Sequence, residues 1–202
     1  MKLYTSPGAR SLADHIALEW TGAPYEAQIV SRDDRKQDWY RALNPAGAVP
    51  VLAEGDWVLT QNSAILNYIA DKFPQAKLGG DGTPEGRAEV NRWLGLLNAD
   101  IHPAFHPLFG STAALGADAE AKAKEGAKQK LRDYFERVDA QLAGKDWLTG
   151  SRSIADPYLF VVIQWAKKLG IGLSGLSNLD AFDKRMAADP GVQAAQKAEG
   201  LI

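Results

Sequence analysis

Short apolar runs and apolar residues at helical spacing alternate over the first 75 residues of the chain. The runs at 2–5, 25–30, 49–52 and 57–60 predict four strands. The last two are joined by the short turn 54–56, which favours an antiparallel hairpin. Two helices are predicted from apolar stripes, which consist of Leu12, Ala13, Ile16, Ala17 and Trp20, and of Ile65, Leu66, Ile69 and Phe73. The order of elements is therefore β-α-β followed by β-β-α.

The rest of the chain carries helical periodicity only. A segment rich in glycine and proline, 78–86, is the predicted linker between an α/β domain at 1–77 and an all-helical domain at 87–202. Thr83 followed by Pro84 predicts a helix start, because threonine caps helices and proline is tolerated at the first helical position. One later helix is predicted from the apolar stripe Leu131, Tyr134, Phe135, Val138 and Leu142.

Two further segments complete the helical pattern. Residues 157–165 are apolar on nearly every side, which is typical of a helix buried in the middle of a bundle. Ser153 precedes it with Asp156 three positions later, an arrangement typical of a capping box. The charged run 120–133 is interpreted as the solvated face of a helix.

Composition excludes several classes of protein. The 202 residues include 23 Lys and Arg against 25 Asp and Glu, and this balance argues against a nucleic-acid or membrane-surface binder. Cysteine is absent, so the chain has no disulfide, thiolate metal cluster or cysteine nucleophile. The first residues lack a signal-peptide pattern, and no run reaches the roughly 18 apolar residues of a membrane span. A soluble, cytoplasmic protein is therefore expected.

Motifs along essentially the whole chain resemble bacterial beta-class glutathione transferases. They are SPGA at 6–9, NPAGAVP at 44–50, AILNYIAD at 64–71, IADPYLF at 154–160 and PGV at 190–192. The resemblance implies the glutathione transferase fold, with a thioredoxin-like α/β N-terminal domain and an all-α helical C-terminal domain. It also implies a homodimer, a glutathione site on the first domain and an apolar acceptor pocket between the domains. Glutathione would be a co-substrate, with no metal and no tightly bound cofactor.

The resemblance assigns glutathione-binding positions on the first domain. In the family, the residue before a cis-proline pairs its backbone with the cysteinyl part of glutathione, and here that residue is Val49. The pair that opens the following helix falls on Gln61 and Asn62, where helix-opening N–H groups favour a carboxylate. Asn62 and Ser63 fit an ordinary helix cap equally well. The full set of implied positions is Ala9, Ala48, Val49, Pro50, Gln61, Asn62 and Ser63.

Other implied positions lie on a basic loop and on the partner subunit. The family binds the glycyl carboxylate of glutathione with a basic residue, for which Arg35 and Lys36 are the candidates, against a purely solvated role. An acidic residue that the family contributes from the partner subunit falls on Asp100, while its companion asparagine is replaced by Gly95. Gln61 stands where the family has an acid, which would weaken its pairing with the amino group of glutathione.

The catalytic position departs from the family, because Arg10 stands where the beta class has its cysteine. Glutathione's own thiol has a pKa of about 8.5, and lowering it by two units needs roughly 2.7 kcal/mol, which one or two charge-assisted hydrogen bonds supply. The predicted donors are the amides of 9–11 with Ser11 first, Arg10 second and Tyr4 third. Ser11 and Asp14 also fit a capping pair, Arg10 a solvated cation and Tyr4 a core residue.

The acceptor pocket is predicted around two histidines. His102 falls on the family's active-site histidine, and His106 is either a pocket residue or a structural one. Their four-residue spacing would suit a metal pair, but Pro103 lies between them and no third histidine is near, so no metal site is predicted. Phe109 and Trp165 are the predicted aromatic lining, although single aromatics at helical spacing are more often core residues.

These residues together predict a dimeric glutathione transferase used in detoxification. The enzyme would activate the glutathione thiol as a thiolate for nucleophilic attack on a small hydrophobic electrophile. Two alternatives stay open, namely a non-catalytic binder of glutathione or hydrophobic ligands, and a glutathione-dependent peroxidase or isomerase that uses the same thiolate.

Overall fold

Residues 1–77, all of which the structure describes, form a four-stranded sheet with three α-helices. The structure is a computed structural model that describes residues 1–110 and 112–202. The strands are β1 (Lys2–Thr5), β2 (Glu26–Ile29), β3 (Val51–Glu54) and β4 (Trp57–Thr60). The helices are α1 (Leu12–Thr21), α2 (Asp38–Leu43) and α3 (Asn62–Lys72).

The sheet has the order β2-β1-β3-β4 and mixes parallel and antiparallel pairs. β1 and β2 are parallel and are connected through α1, whereas β3 runs antiparallel to both β1 and β4. The predicted hairpin between β3 and β4 is confirmed, with Gly55 at a φ of 57° in the turn. Leu3 lies opposite Leu52 across β1 and β3, and both are fully buried. This sheet fixes the position of the loop that follows β1.

The remainder of the described chain is helical. It contains α4 (Pro84–Leu96), a π-helical stretch (Leu97–Ile101), α5 (His102–Ala104), α6 (Ala117–Gln141), α7 (Ala155–Lys168), α8 (Ser177–Ala188) and α9 (Pro190–Ala198). Short 3-10 turns lie at Asp34–Lys36, Pro74–Ala76, His106–Phe109 and Ala113–Leu115. α1 packs against both α7 and α9, so the end of the chain returns to the N-terminal domain. One continuous apolar core therefore spans both domains.

Helix starts agree with the sequence in one case and differ in two. Thr83 caps α4 by accepting the N–H of Gly86, as predicted, and the helix therefore begins inside the predicted linker. The predicted capping pair of Ser11 and Asp14 is wrong, because Ser11 makes no cap hydrogen bond and both residues are buried. Asn62 is the first residue of α3 rather than its cap, and no side chain caps that helix.

The start of α7 is held by a buried carboxylate. Oδ2 of Asp156 accepts hydrogen bonds from the N–H of Ser153 (2.7 Å) and from its hydroxyl (3.0 Å). Oδ1 of Asp156 accepts the N–H of Leu148 at 2.9 Å. Burial raises the pKa of this carboxyl to about 6, and the three hydrogen bonds oppose that rise. The acidic half of the predicted capping box is thus present, and it also holds the preceding loop.

Candidate active site

A cleft of about 870 Å³ lies between the loop after β1 and the helical domain. Its N-terminal wall consists of residues 6–10, of 30–32 with Arg35, and of Ala48 and Val49. Its helical wall contains His102, Phe109 and the inner face of α7. The sequence-predicted residues that line it are Ala9, Arg10, Arg35, Ala48, Val49, His102, Phe109 and Trp165.

The loop after β1 is held from three sides. The hydroxyl of Ser6 donates to the carbonyl of Val30 at 2.5 Å. The N–H of Gly8 donates to Oε2 of Glu199 at 3.0 Å, and its carbonyl accepts Nε1 of Trp165 at 2.8 Å. Gly8 adopts a φ of 66°, a conformation that favours glycine. These contacts fix the position of the residues that follow Gly8, including Arg10.

Ser11, the first-ranked activator, does not face the cleft. Its side chain is fully buried, and Oγ lies 2.7 Å from Oγ1 of Thr5 and 3.3 Å from the N–H of Ser6. The Thr5 hydroxyl has one proton, which satisfies the carboxylate of Glu199 at 2.8 Å, so Ser11 donates to Thr5. With its donor used inside the domain, Ser11 has no proton left for a ligand.

Arg10 does face the cleft, next to the predicted glutathione backbone position. Its Nε donates to the carbonyl of Val49 at 3.0 Å, and no other hydrogen bond or ion pair of this guanidinium occurs among residues 1–110 and 112–202. The Val49–Pro50 peptide bond is cis. The terminal nitrogens of Arg10 are therefore available to an anion beside Val49.

Asn62, the first residue of α3, makes its side-chain hydrogen bonds inside the domain. Asn62 is buried, and its Nδ2 donates to Oδ2 of Asp14 at 2.6 Å and to the carbonyl of Arg10 at 3.2 Å. Burial raises the pKa of Asp14 well above its usual value. The Asn62 side chain thus connects α3 to α1 through hydrogen bonds. Only the backbone N–H of Asn62 is left for a ligand. Gln61 is exposed at a φ of 74°, next to the unpaired amides of the first turn that includes Ser63.

The basic loop presents one of its two predicted candidates to the cleft. Lys36 does not line the cleft and pairs with Asp33 at 2.8 Å on the surface. Arg35 lines it, as does Arg32. Tyr4, the third-ranked activator, lies outside the cleft, since its ring packs 6.0 Å from that of Tyr40 in a second apolar cluster.

His102 is largely buried in the helical wall. Its Nδ1 lies 2.7 Å from the hydroxyl of Tyr158, which donates to Oδ1 of Asn98 at 3.3 Å. Both contacts are hydrogen bonds when Nδ1–H donates to Tyr158, and this arrangement leaves the lone pair of Nε2 free. Burial lowers the pKa of His102 to about 4, assisted by the charges of Arg10 and His106. The imidazole is therefore neutral at physiological pH.

Aromatic rings form the apolar wall of the cleft. The Trp165 ring lies 5.3 Å from that of Phe109 and 4.8 Å from that of His102. Phe109 is 51% exposed and stacks on the buried Phe105. This wall can hold an apolar group beside the N-terminal loop.

Two other predicted positions lie outside this cleft. Asp100 is exposed on the π-helical stretch, and His106 is exposed next to His102 with 5.7 Å between the ring centres.

No group of three or more metal-ligating side chains occurs in 1–110 or 112–202. Within the same ranges, no helix combines the length and the apolar character needed to cross a membrane.

Sequence reasoning did not select Lys168, Tyr158 and Glu199 as site residues. Lys168 follows a buried helical run. The one feature of the sequence that could have indicated a site residue there is its position one turn after Trp165. The role of Glu199 depends on partners 184 to 194 positions earlier in the chain. Tyr158 looked like a core residue, and its hydroxyl gains a role only through His102.

The chain belongs to the glutathione S-transferase family. Residues 3–77 match the glutathione S-transferase N-terminal domain, and residues 97–190 match the C-terminal domain. Glutathione S-transferase GST-4.5 of Xanthomonas campestris is 58% identical, with all of both chains covered. A glutathione S-transferase structure from Xylella fastidiosa matches with a TM-score of 0.97 at 53% identity, covering 100% of this chain and 99% of that one.

A beta-class glutathione S-transferase from Sphingomonas chungbukensis also matches, with a TM-score of 0.88 and 41% identity over the whole of both chains. The predicted family, the two-domain fold and the transferase class of enzyme are thereby confirmed. The present chain is a member without cysteine, which has Arg10 at the position of the beta-class cysteine.

Proposed function

We propose that this transferase activates glutathione by holding its thiolate against the guanidinium of Arg10. The observation that carries the proposal is the position of Arg10, which lines the cleft while its Nε is anchored on the Val49 carbonyl at 3.0 Å. Val49 follows Ala48 in the segment just before β3, where the cysteinyl part of glutathione would pair with the backbone. Sulfur and guanidinium would then be neighbours.

The energy of one such contact is sufficient. A hydrogen bond to a charged group contributes about 1.5–3 kcal/mol, and each pKa unit corresponds to about 1.4 kcal/mol. Arg10 alone would therefore lower the thiol pKa by one to two units from about 8.5. A substantial fraction of bound glutathione would then be thiolate at neutral pH.

His102 would assist without holding a charge. Because its pKa is about 4, it accepts the thiol proton only transiently, through the free Nε2, and passes it to water. Tyr158 and Asn98 hold the ring in that orientation. His102 is thus proposed as a proton acceptor in transit, with Arg10 as the permanent counter-charge.

The other parts of glutathione would bind on either side of the sulfur. Arg35 is the proposed partner of the glycyl carboxylate, because it lines the cleft and Lys36 is already paired. The exposed amides at the start of α3, next to Gln61, are the proposed site of the glutamyl carboxylate. The acceptor electrophile would lie against Phe109 and Trp165.

The proposed reaction is nucleophilic substitution or addition at an electron-poor carbon. The thiolate forms the carbon–sulfur bond, and either a leaving group departs with its electron pair or a π bond opens and its carbon takes up a proton. With 1-chloro-2,4-dinitrobenzene, chloride leaves and the aryl thioether remains. We further propose that the enzyme works in detoxification in the cytoplasm, as a homodimer in which Asp100 reaches the partner's glutathione.

The test is the pH dependence of glutathione conjugation to dinitrochlorobenzene in wild type, Arg10→Ala and Arg10→Lys. In wild type, kcat/KM for dinitrochlorobenzene, measured at saturating glutathione, should rise with pH. The midpoint of the rise is the pKa of the bound thiol, which should lie below about 8.5. Arg10→Ala should move this pKa up by one to two units, so that activity falls about 10-fold or more at pH 6.5 and much less at pH 9.5. Arg10→Lys retains the charge and should recover part of the shift.

Ser11→Ala is the matched comparison at the neighbouring position. Since its hydroxyl donates to Thr5 inside the domain, this variant should keep the pKa of the pH profile and lose stability instead. An unchanged profile in Arg10→Ala would refute the role of Arg10. Glutathione binding by calorimetry without turnover of any electrophile would favour the non-catalytic binder.

A further inference from the structure

The charge of the cleft is strongly uneven. Four cations line it, namely Arg10, Arg32, Arg35 and Lys168, and no aspartate or glutamate occurs among its described lining residues. The whole chain nevertheless has a net charge of −2. The positive charge is therefore concentrated where the ligands bind.

Glutathione accounts for only part of this charge. Following the proposed function, on which this inference rests, its thiolate faces Arg10 and its glycyl carboxylate faces Arg35 with Arg32 beside it. Its glutamyl carboxylate belongs at the start of α3, outside the cleft lining. Lys168, on the opposite wall, then has no anion from glutathione.

Nothing within the described chain neutralises Lys168 either. No hydrogen bond or ion pair of its ammonium group occurs in 1–110 or 112–202. The acid that contacts this end of α7 is Asp183, which is already bonded to Lys167 and to Nε2 of Gln164. The charge of Lys168 thus acts on the cleft itself.

The surroundings of Lys168 define what it would bind. It lies on the helical wall of the cleft. The other lining residues of that wall are the apolar Phe109, Val161, Trp165, Leu169 and Leu201 and the polar His102, Gln164 and Gln196. We infer that the acceptor substrate of this enzyme is an organic anion, with an apolar or aromatic body against this wall and a carboxylate paired with Lys168. The pairing would hold the electron-poor carbon towards the sulfur at Arg10.

The chemistry remains that of the proposed function. For an unsaturated ketone acid, the sulfur bonds to the terminal alkene carbon while the π pair moves towards the carbonyl. The proton released by the thiol then returns to the adjacent carbon. The carboxylate takes no part in bond making, and its role is to position the substrate.

Ethacrynic acid and its methyl ester are a matched pair of probes, because they share the enone and the ring and differ only in charge. Enzymatic kcat/KM is measured for both, after subtraction of the uncatalysed rate, in wild type, Lys168→Gln and Lys168→Glu. Comparing the acid-to-ester ratio between variants cancels the intrinsic reactivity of the probes. Lys197→Gln is the control, since it removes the same charge from an exposed position that does not line the cleft.

Lys168→Gln should lower the acid-to-ester ratio about fivefold, the effect of one partly exposed ion pair. Lys168→Glu should lower it further, and Lys197→Gln should leave it unchanged. High salt should reduce the wild-type ratio towards that of Lys168→Gln. An equal ratio in wild type and Lys168→Gln would overturn the inference, as would turnover of dinitrochlorobenzene with none of the acid. Failure of all three electrophiles would instead refute the proposed function.

Discussion

Replacing Glu199 by alanine should both destabilise the fold and weaken glutathione binding. This carboxylate is 4% exposed and joins the end of the chain to the loop after β1. Its Oε1 accepts the hydroxyl of Thr5 at 2.8 Å and Nδ1 of His15 at 3.0 Å, while Oε2 accepts the N–H of Gly8 at 3.0 Å. The same carboxylate thus supports two residues of the core and one of the cleft.

The size of the effect follows from these three contacts. Hydrogen bonds to a charged group contribute about 1.5–3 kcal/mol each, which sets an upper bound of about 4.5–9 kcal/mol for the three. The substitution also removes the cost of burying the carboxylate, so the loss should approach that of a broken buried pair, about 3–5 kcal/mol. Release of Gly8 loosens the segment that carries Arg10, and the KM for glutathione should rise with it.

Urea unfolding followed by tryptophan fluorescence measures the first effect, and steady-state kinetics at varied glutathione measures the second. Glu199→Gln retains one carbonyl oxygen and places an amide NH₂ against a donor, so its loss should be intermediate. This variant keeps the test informative if the alanine variant does not fold. Lys197→Gln, at an exposed position in the last turn of α9, should stay within about 0.5 kcal/mol of wild type. Equal stability and equal KM in Glu199→Ala and wild type would refute the reasoning.

Two other predictions concern the helical domain and the assembly. Asp156→Ala should cost about 2–4 kcal/mol in unfolding free energy, because the N–H groups of Leu148 and Ser153 lose their acceptor. A smaller loss in Asp156→Asn would support this prediction. An unchanged denaturant midpoint in Asp156→Ala would contradict it. The chain should sediment at twice its 21.9 kDa mass. Trp57→Asp should raise the dimer dissociation constant about tenfold or more, because Trp57 is a 45% exposed ring on edge strand β4, tilted against the ring of Tyr68 with 4.8 Å between the ring centres. Monomers of wild type at micromolar concentration would contradict it.

The sheet and some helix starts could be predicted because their causes are local. The turn at Gly55 and the cap at Thr83 depend on residues within three positions, and the structure has both. The predicted capping pair of Ser11 and Asp14 is wrong because the rule behind it considers local sequence only. It satisfies the local rule for a cap, but Asp14 is paired instead with Asn62, which lies 48 positions later. Tertiary hydrogen bonds therefore override the local preference where two helices meet.

The site was predictable in its positions and less so in its orientations. The family resemblance assigned Arg10, Val49 and His102 to one site, and all three line the same cleft of the structure. Which atoms face a ligand depends on contacts that no motif contains. The Ser11 hydroxyl is directed inward by Thr5, and the Asn62 amide by Asp14.

The net charge of the chain does not show where its charged residues lie. A balance of 23 basic against 25 acidic residues argues against a polyanion-binding surface. The acids pair elsewhere, as Asp33 does with Lys36 and Asp183 with Lys167, while the described lining of the cleft has four cations and no acid. A cleft with low-dielectric walls strengthens the field of those cations. The cleft can therefore attract anionic ligands although the chain as a whole is slightly negative.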